Sequence, residues 1–367
     1  MERVNPQMIT LVRELRRKTQ SEVAEKVGIQ QGYVSMIESG VRPVTGDTLA
    51  KIADVLDCPP KLLCQHAQIR GGEAQDLHFR RRKTLPVTER RRFEGKLHLA
   101  YLTIKSLLRG IDYEPSLVLP VLNSEDVDGP AEAARIIRRT WRIPMGPVQN
   151  LTAYLEAAGI FLTPCDAPNK VDAVTRRCDE GWHITLFNRG MPTDRDRMTG
   201  AHELGHLVLH AGYGQDAERE ADQFAAEFLA PADEIGPQLA GLTTRDLGRL
   251  VDLRMYWKVS VPFLVRRAFD LEIISERQQK SFYALLNSRG LMRQTVDHAL
   301  PPEEPTALRK IIEVHHQQHG YSVEDLASAA LMTPSRFAST FGFPHEADPP
   351  RLRLVRERQL THEQAGS

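Results

Sequence analysis

Met198-Thr199-Gly200-Ala201-His202-Glu203-Leu204-Gly205-His206-Leu207-Val208-Leu209-His210 is the stretch on which the reading of this chain turns. It contains an HExxH run. Apolar Ala201, Leu204, Val208 and Leu209 recur at helical spacing, so the run reads as a buried helix. Residues four apart on a helix lie one turn up the same face, so the imidazoles of His202 and His206 can converge on one metal ion. Glu203 sits about 100° round from His202, within reach of a water at that ion without being a ligand. Gly205 weakens the helix interior by about 1 kcal/mol relative to alanine, which is read as room for a second backbone to approach. The competing reading is a solvated helix whose two histidines merely share a face; in a chain with 13 histidines a chance match arises with a probability of roughly a few per cent.

A hydrolytic zinc site needs a third protein ligand and an open position. Twelve residues beyond His206 begins Glu218-Arg219-Glu220-Ala221-Asp222-Gln223-Phe224-Ala225-Ala226-Glu227-Phe228-Leu229, helical by its apolar spacing and closed by Pro231. Glu218 shares a stripe with Ala221, Asp222 and Ala225, whose small alanines suit a close approach to the HExxH helix. Glu218 is therefore the expected third ligand. Asp222, one turn on, is placed to accept the remaining N–H of a ligating histidine. Glu220 competes but points about 160° away from Asp222. The plainer alternative for these acids is a charged helix face.

The two stretches together resemble the ImmA/IrrE metallopeptidases, whose pattern is HExxH followed by ExxA(D/N)xFA and a proline. The resemblance runs from roughly Pro130 to Gln294 and includes Trp257-Lys258-Val259-Ser260 and Arg266-Arg267-Ala268. It implies His202, His206 and Glu218 as metal ligands and Glu203 as general base. The family's LLMP ending is Phe228-Leu229-Ala230-Pro231 here, which alters packing and leaves the expected ligands in place.

At the N-terminus, Pro6 to Lys18 alternates apolar and basic residues at helical spacing. Gln20 to Gly28 reads as a short helix with a glycine turn, Ile29 to Glu38 as a second helix, and Asp47 to Leu56 as a third. The segment resembles the XRE-type helix-turn-helix over about residues 5 to 65, with Ala24 and Gly28 marking the tight turn. In such a unit the second helix enters the major groove of a double-stranded DNA operator, which here brings Gln30, Gln31, Tyr33 and Ser35 to base edges. Gln20 would meet a phosphate through its amide and helix N-terminus. A helix pair used only for protein contacts is the alternative. Readers of this kind often bind two half-sites as dimers, so a homodimer stays open.

Charge favours DNA. Residues 1–110 carry 20 Lys/Arg against 12 Asp/Glu, a balance of +8 hidden within a chain of 48 against 48. Arg80-Arg81-Arg82-Lys83 and Arg90-Arg91-Arg92 are the densest clusters, as phosphate contacts or as a solvated linker face. The expected fold is α+β and predominantly helical: a helix-turn-helix bundle, a zincin-like domain with a small β-sheet, and further C-terminal helices. The expected divisions are residues 1–67, a basic linker and helical region 68–129, the metallopeptidase-like domain 130–300, and a C-terminal helical extension 301–367. Within these, 66–86 reads as a linker, 160–163, 171–176 and 183–187 as strands, and about Glu357 to Ser367 as a disordered tail. Residues 321–337 echo the helix-turn-helix but have Leu331 where Gly28 stands, so a plain helical pair is expected.

Cys58, Cys64, Cys165 and Cys178 form no CxxC pair and suit reduced thiols in a cytoplasmic chain. There is no 18-residue apolar span and no glycine-rich phosphate loop. The expected chemistry is metal-assisted peptide hydrolysis on zinc, with manganese or iron open to the same residue types. His183, His210 and Tyr213 are candidates for stabilising an oxyanion, with a structural role the favoured reading of each. The resemblance implies cleavage of a repressor-like protein, either this chain or a partner. Two other readings remain: a transcription factor whose metal domain only senses, and an antitoxin-like partner whose peptidase fold is an interaction platform.

Overall fold

The computed structural model describes residues 3–65, 77–79, 87–122, 127–166, 171–209, 216–292 and 300–343. Five helices come first: α1 (Pro6–Leu15), α2 (Gln20–Val27), α3 (Gln31–Glu38), α4 (Gly46–Val55) and α5 (Pro60–Leu63). Strand β1 (Leu77–Phe79) and the long helix α6 (Val87–Leu107) follow, then α7 (Gly129–Thr140) and α8 (Leu151–Ala157). Strands β2 (Ile160–Cys165), β3 (Ala173–Arg176) and β4 (His183–Asn188) lead into α9 (Thr193–Leu209) and α10 (Ala217–Leu229). The described chain ends in seven helices: α11 (Ala232–Leu239), α12 (Leu247–Trp257), α13 (Val261–Asp270), α14 (Glu276–Ser288), α15 (Ala307–His319), α16 (Val323–Ala329) and α17 (Pro334–Phe341). The fold is α+β and predominantly helical, as the periodicity indicated.

The N-terminal bundle follows from local signals. Thr19 and Glu22 form a capping box that starts α2, and Gly28 ends it at φ 78°, a left-handed conformation that costs glycine little. The turn lets Val23, Val34, Ile37 and Ile52 close over Met8, Ile9 and Val12, all essentially fully buried.

The sheet runs β1-β3-β4-β2, with β2 parallel to β4 and the other pairs antiparallel. Strand period 2 sends alternate side chains to opposite faces, and both faces are covered. Phe161, Val174, Ile184 and Leu186 pack with Phe93 and Leu97 of α6, Ile312 of α15 and Leu326 of α16. Ile160, Leu162 and Phe187 belong to the other side, where α7 to α14 enclose Leu204, Phe224, Phe228 and Trp257. Most of the expected linker over 66–86 lies outside the described residues, as do Arg80 to Lys83 and the C-terminal tail; 77–79, however, pair with β3 as a strand. Three residues in a polar run carry no period strong enough to announce such a strand.

The helical pair α16–α17 is present, and Leu331 between them takes φ 58°, the left-handed region that usually holds glycine. Its side chain accounts for its presence there. Leu331 is 3% exposed and packs in the N-terminal bundle's core, together with Leu102 of α6.

Candidate metal centre

Helices α9 and α10 pack along their lengths, and glycine makes this possible. A Cβ on Gly205 would lie 3.1 Å from Ala221 Cα and 3.2 Å from Phe224 Cδ1. The backbone approach expected at Gly205 is therefore made by α10, at its small Ala221. That approach carries Glu218 across to the histidine face of α9.

Three donor groups meet there. His206 Nε2 lies 3.1 Å from His202 Nε2, 3.3 Å from Glu218 Oε1, and Glu218 Oε2 lies 3.6 Å from His202 Nε2. Donors each about 2.0–2.1 Å from a tetrahedral ion stand roughly 3.3 Å from one another, so this triangle has the dimensions of a tetrahedral metal site. Among the described residues, His202, His206 and Glu218 form the one group of this kind suited to hold a metal ion. Burial raises the Glu218 carboxyl, but hydrogen bonds and charge from His202 and His206 outweigh it and hold the group well below the usual carboxylate range. The histidines are buried, whereas the Glu218 side chain is 54% exposed, which leaves the site open on its acid side.

Asp222 Oδ1 lies 2.8 Å from His202 Nδ1. It accepts the Nδ1 proton, which fixes the tautomer with the Nε2 lone pair turned toward His206 and Glu218. Glu203 is 2% exposed, and its Oε2 is buried without a hydrogen-bond partner. Burial raises its proton affinity, opposed by His206, His202 and a hydrogen bond from Thr175. Thr175 is paired in register with Thr185, their hydroxyls 2.9 Å apart, so β3 steadies the acid from beneath α9. Sequence reasoning missed Thr175. A single threonine in a short strand gives no sign that it will lie under residue 203.

The stretches that carried the resemblance acquire a physical role. Glu227 pairs with Arg267 and, at 3.0 Å, with Arg135, while Arg267 Nε donates to Ala230 O at 3.0 Å. This buried network pins the Phe228-Leu229-Ala230-Pro231 end of α10 and thereby the helix carrying Glu218. Glu220 is half-buried. His183 accepts from the Cys178 amide at 3.2 Å, and burial, with Arg177 nearby, lowers its pKa to about 4. It acts as a neutral structural acceptor in this geometry. His210 and Tyr213 lie outside the described residues.

In the N-terminal bundle, Gln30 precedes α3 at its N-cap position and Gln31 opens the helix; both are exposed, whereas Tyr33 and Ser35 are half-buried. Arg42 lies over the Tyr33 ring at 4.6 Å. Gln20 is engaged within the bundle: its amide donates to Glu38 at 2.8 Å and its oxygen accepts from Gln31 at 2.7 Å. Arg13 anchors the same Glu38 at 2.6 and 2.9 Å. This chain of contacts sets the angle between α2 and α3.

Residues 9–63 match the family model described as a helix-turn-helix, and residues 155–269 match the one described as an IrrE N-terminal-like domain. No curated protein matches the chain. The first match points to a DNA-binding regulator and the second to a metallopeptidase-like domain. With the motifs of both halves and the convergence of His202, His206 and Glu218 in view, this chain joins a segment similar to the XRE-type helix-turn-helix to one similar to the ImmA/IrrE domain.

Proposed function

We propose that the chain is a cytoplasmic transcription regulator whose ImmA/IrrE-type domain is a zinc-dependent endopeptidase acting on a repressor-like protein, either a partner or this chain itself. The observation that supports it most is the triangle of His202, His206 and Glu218 donors beside a buried carboxylate with one unpartnered oxygen. His202 Nε2, His206 Nε2 and a Glu218 oxygen would hold the metal, which when bound supplies a water of lowered pKa and polarises the scissile carbonyl. Asp222 keeps His202 in the tautomer that can donate its Nε2 lone pair. Glu203 takes a proton from the attacking water on Oε2 and passes it to the leaving amine. Thr175 orients that carboxylate, and the buried face of α9 excludes competing solvent from its other side.

On the DNA side, Gln30 and Gln31 stand at the exposed start of α3, and an amide can pair in bidentate fashion with adenine. Tyr33 and Ser35 follow one turn into the helix. Gln20 contributes by positioning Gln31 and retains an N–H for a phosphate. Substituting Gln30 and Gln31 should relax sequence preference by roughly 1–3 kcal/mol per lost base contact.

The test compares wild type, Glu203→Gln and His202→Ala for bound metal and for processing of candidate repressors expressed alongside. Wild type should hold about one metal per chain and cleave; Glu203→Gln should hold metal without cleaving; His202→Ala should do neither. Equal metal in wild type and His202→Ala would refute the centre. Equal regulation with processing by neither wild type nor Glu203→Gln would leave a domain that only senses or binds, and equal cleavage by both would refute Glu203 as the base.

A further inference from the structure

A cavity of about 1190 Å³ opens away from the metal centre, where the helix-turn-helix bundle, α6, strand β2 and the C-terminal helices meet. Small-molecule sites occupy roughly 300–1,000 Å³, so this one has room for a sizeable ligand. Its lining is two-sided in chemistry. Seven Lys/Arg side chains face three Asp/Glu, while Phe93, Ala100, Leu162 and Leu308 supply an apolar surface.

Arginines line it from separate parts of the chain: Arg16 and Arg17 from the end of α1, Arg309 from α15 and Arg336 from α17. Arg17 and Arg309 are exposed and have no ion-pair partner among the described residues. Arg17 also takes φ 54°, so the bundle holds an arginine at a left-handed position that favours glycine. Arg16 bonds to Leu56 O at 2.9 Å, and Arg336 to Asp57 Oδ2 at 3.0 Å. Burial, then repulsion from Arg336, lowers the proton affinity of Arg16, which marks a local excess of positive charge that Asp57 does not fully offset.

We propose that this cavity binds an amphipathic organic anion, with a carboxylate or phosphate head among Arg16, Arg17, Arg309 and Arg336 and an apolar body against Phe93, Ala100 and Leu308. Charge-assisted contacts give arginine its preference for such heads, and the apolar walls supply the remaining affinity. The walls belong both to the DNA-reading bundle and to the elements that carry the sheet. A ligand there touches both at once and biases how they sit together, which makes it an effector. The binding event itself stands whether or not the metal centre is a peptidase.

Fluorescence titration of the full chain with 1-anilinonaphthalene-8-sulfonate, followed by displacement with decanoate, decyl phosphate or decanol, tests this. The dye should bind at one saturable site, and at least one of the two anions should displace it at tenfold lower concentration than decanol. The anion that wins distinguishes a carboxylate from a phosphate ligand. Arg17→Glu combined with Arg309→Glu, both surface changes, should weaken that displacement at least tenfold with metal content and thermal midpoint unchanged. Ala100→Trp, which narrows the cavity, should weaken it similarly; the surface pair keeps the test decisive if this variant folds poorly. Displacement by decanol equal to that by both anions, no displacement by either anion, or an unchanged double variant overturns the proposal.

Discussion

Glu203 and Asp222 stand at the same candidate centre with different partners, and single substitutions separate the roles proposed for them. Glu203→Gln preserves volume and leaves His202, His206 and Glu218 intact. It should keep the metal and lower peptide hydrolysis by about 10²- to 10⁴-fold, the usual worth of a positioned base. Asp222→Ala leaves every donor but frees the His202 ring to turn, and metal affinity should fall roughly 10- to 100-fold in a chelator competition. His98, 8% exposed and with Nε2 unpartnered, illustrates a histidine of the opposite kind. Burial, reinforced by Arg176, lowers its pKa to about 4, so it is neutral in the fold. Below about 6.5 the unfolded chain binds a proton there that the folded chain refuses, so stability should fall as pH drops from about 6.5 toward about 4. His98→Leu should flatten the fall in thermal midpoint over that window; an unchanged slope would assign the acid sensitivity elsewhere.

At the scale of elements, the contact between α9 and α10 carries the centre, and Gly205 is its narrowest point. Gly205→Ala improves intrinsic helix propensity by about 1 kcal/mol, yet its Cβ meets Ala221 backbone atoms that cannot rotate away. Overpacking of this sort costs about 1–3 kcal/mol, so the variant should lose thermal stability and, because Glu218 rides on α10, bind metal more weakly than wild type. A rise in both would mean that the helices separate freely. The placement of these helices was legible in the chain because their information is local: histidines four apart, alanines on the Glu218 stripe, and a proline stop. The helix-turn-helix was legible for the same reason, through Thr19, Gly28 and the apolar spacing of α1 to α4. Strand β1 and Thr175 were not. Phe79 pairs with Val174, 95 residues on, and Thr175 lies 28 residues before Glu203, and neither short strand carries a sequence pattern naming its neighbour.

Across the whole molecule, the C-terminal helices close back on the N-terminal bundle, a contact that no local signal foretold. Thr333 and Arg336 both bond to Asp57, at 2.9 and 3.0 Å, but Arg336 and Asp57 are 40% and 48% exposed in their side chains. A double-mutant cycle on this half-exposed pair should return about 0.5 kcal/mol and shrink with salt. Leu331 is the stronger tie, because its buried side chain sits in the bundle's core. Truncating it should cost about 2–5 kcal/mol, the range for emptying a core leucine site. The left-handed backbone at this position adds a discriminating comparison. Alanine there keeps the strain of about 1–2 kcal/mol that a Cβ imposes at positive φ, whereas glycine relieves it at the expense of about 0.4–1 kcal/mol in unfolded-state freedom. Leu331→Gly should therefore be as stable as Leu331→Ala or up to about 1.6 kcal/mol more stable, the reverse of their order in a helix interior. Thermal melts of the full chain measure that order, and amide exchange in α1 and α17 reports whether the loss falls at the docking contact. If Leu331→Ala proves the more stable, the left-handed turn between α16 and α17 is not held in solution, and neither is the contact that brings Arg336 beside Arg16.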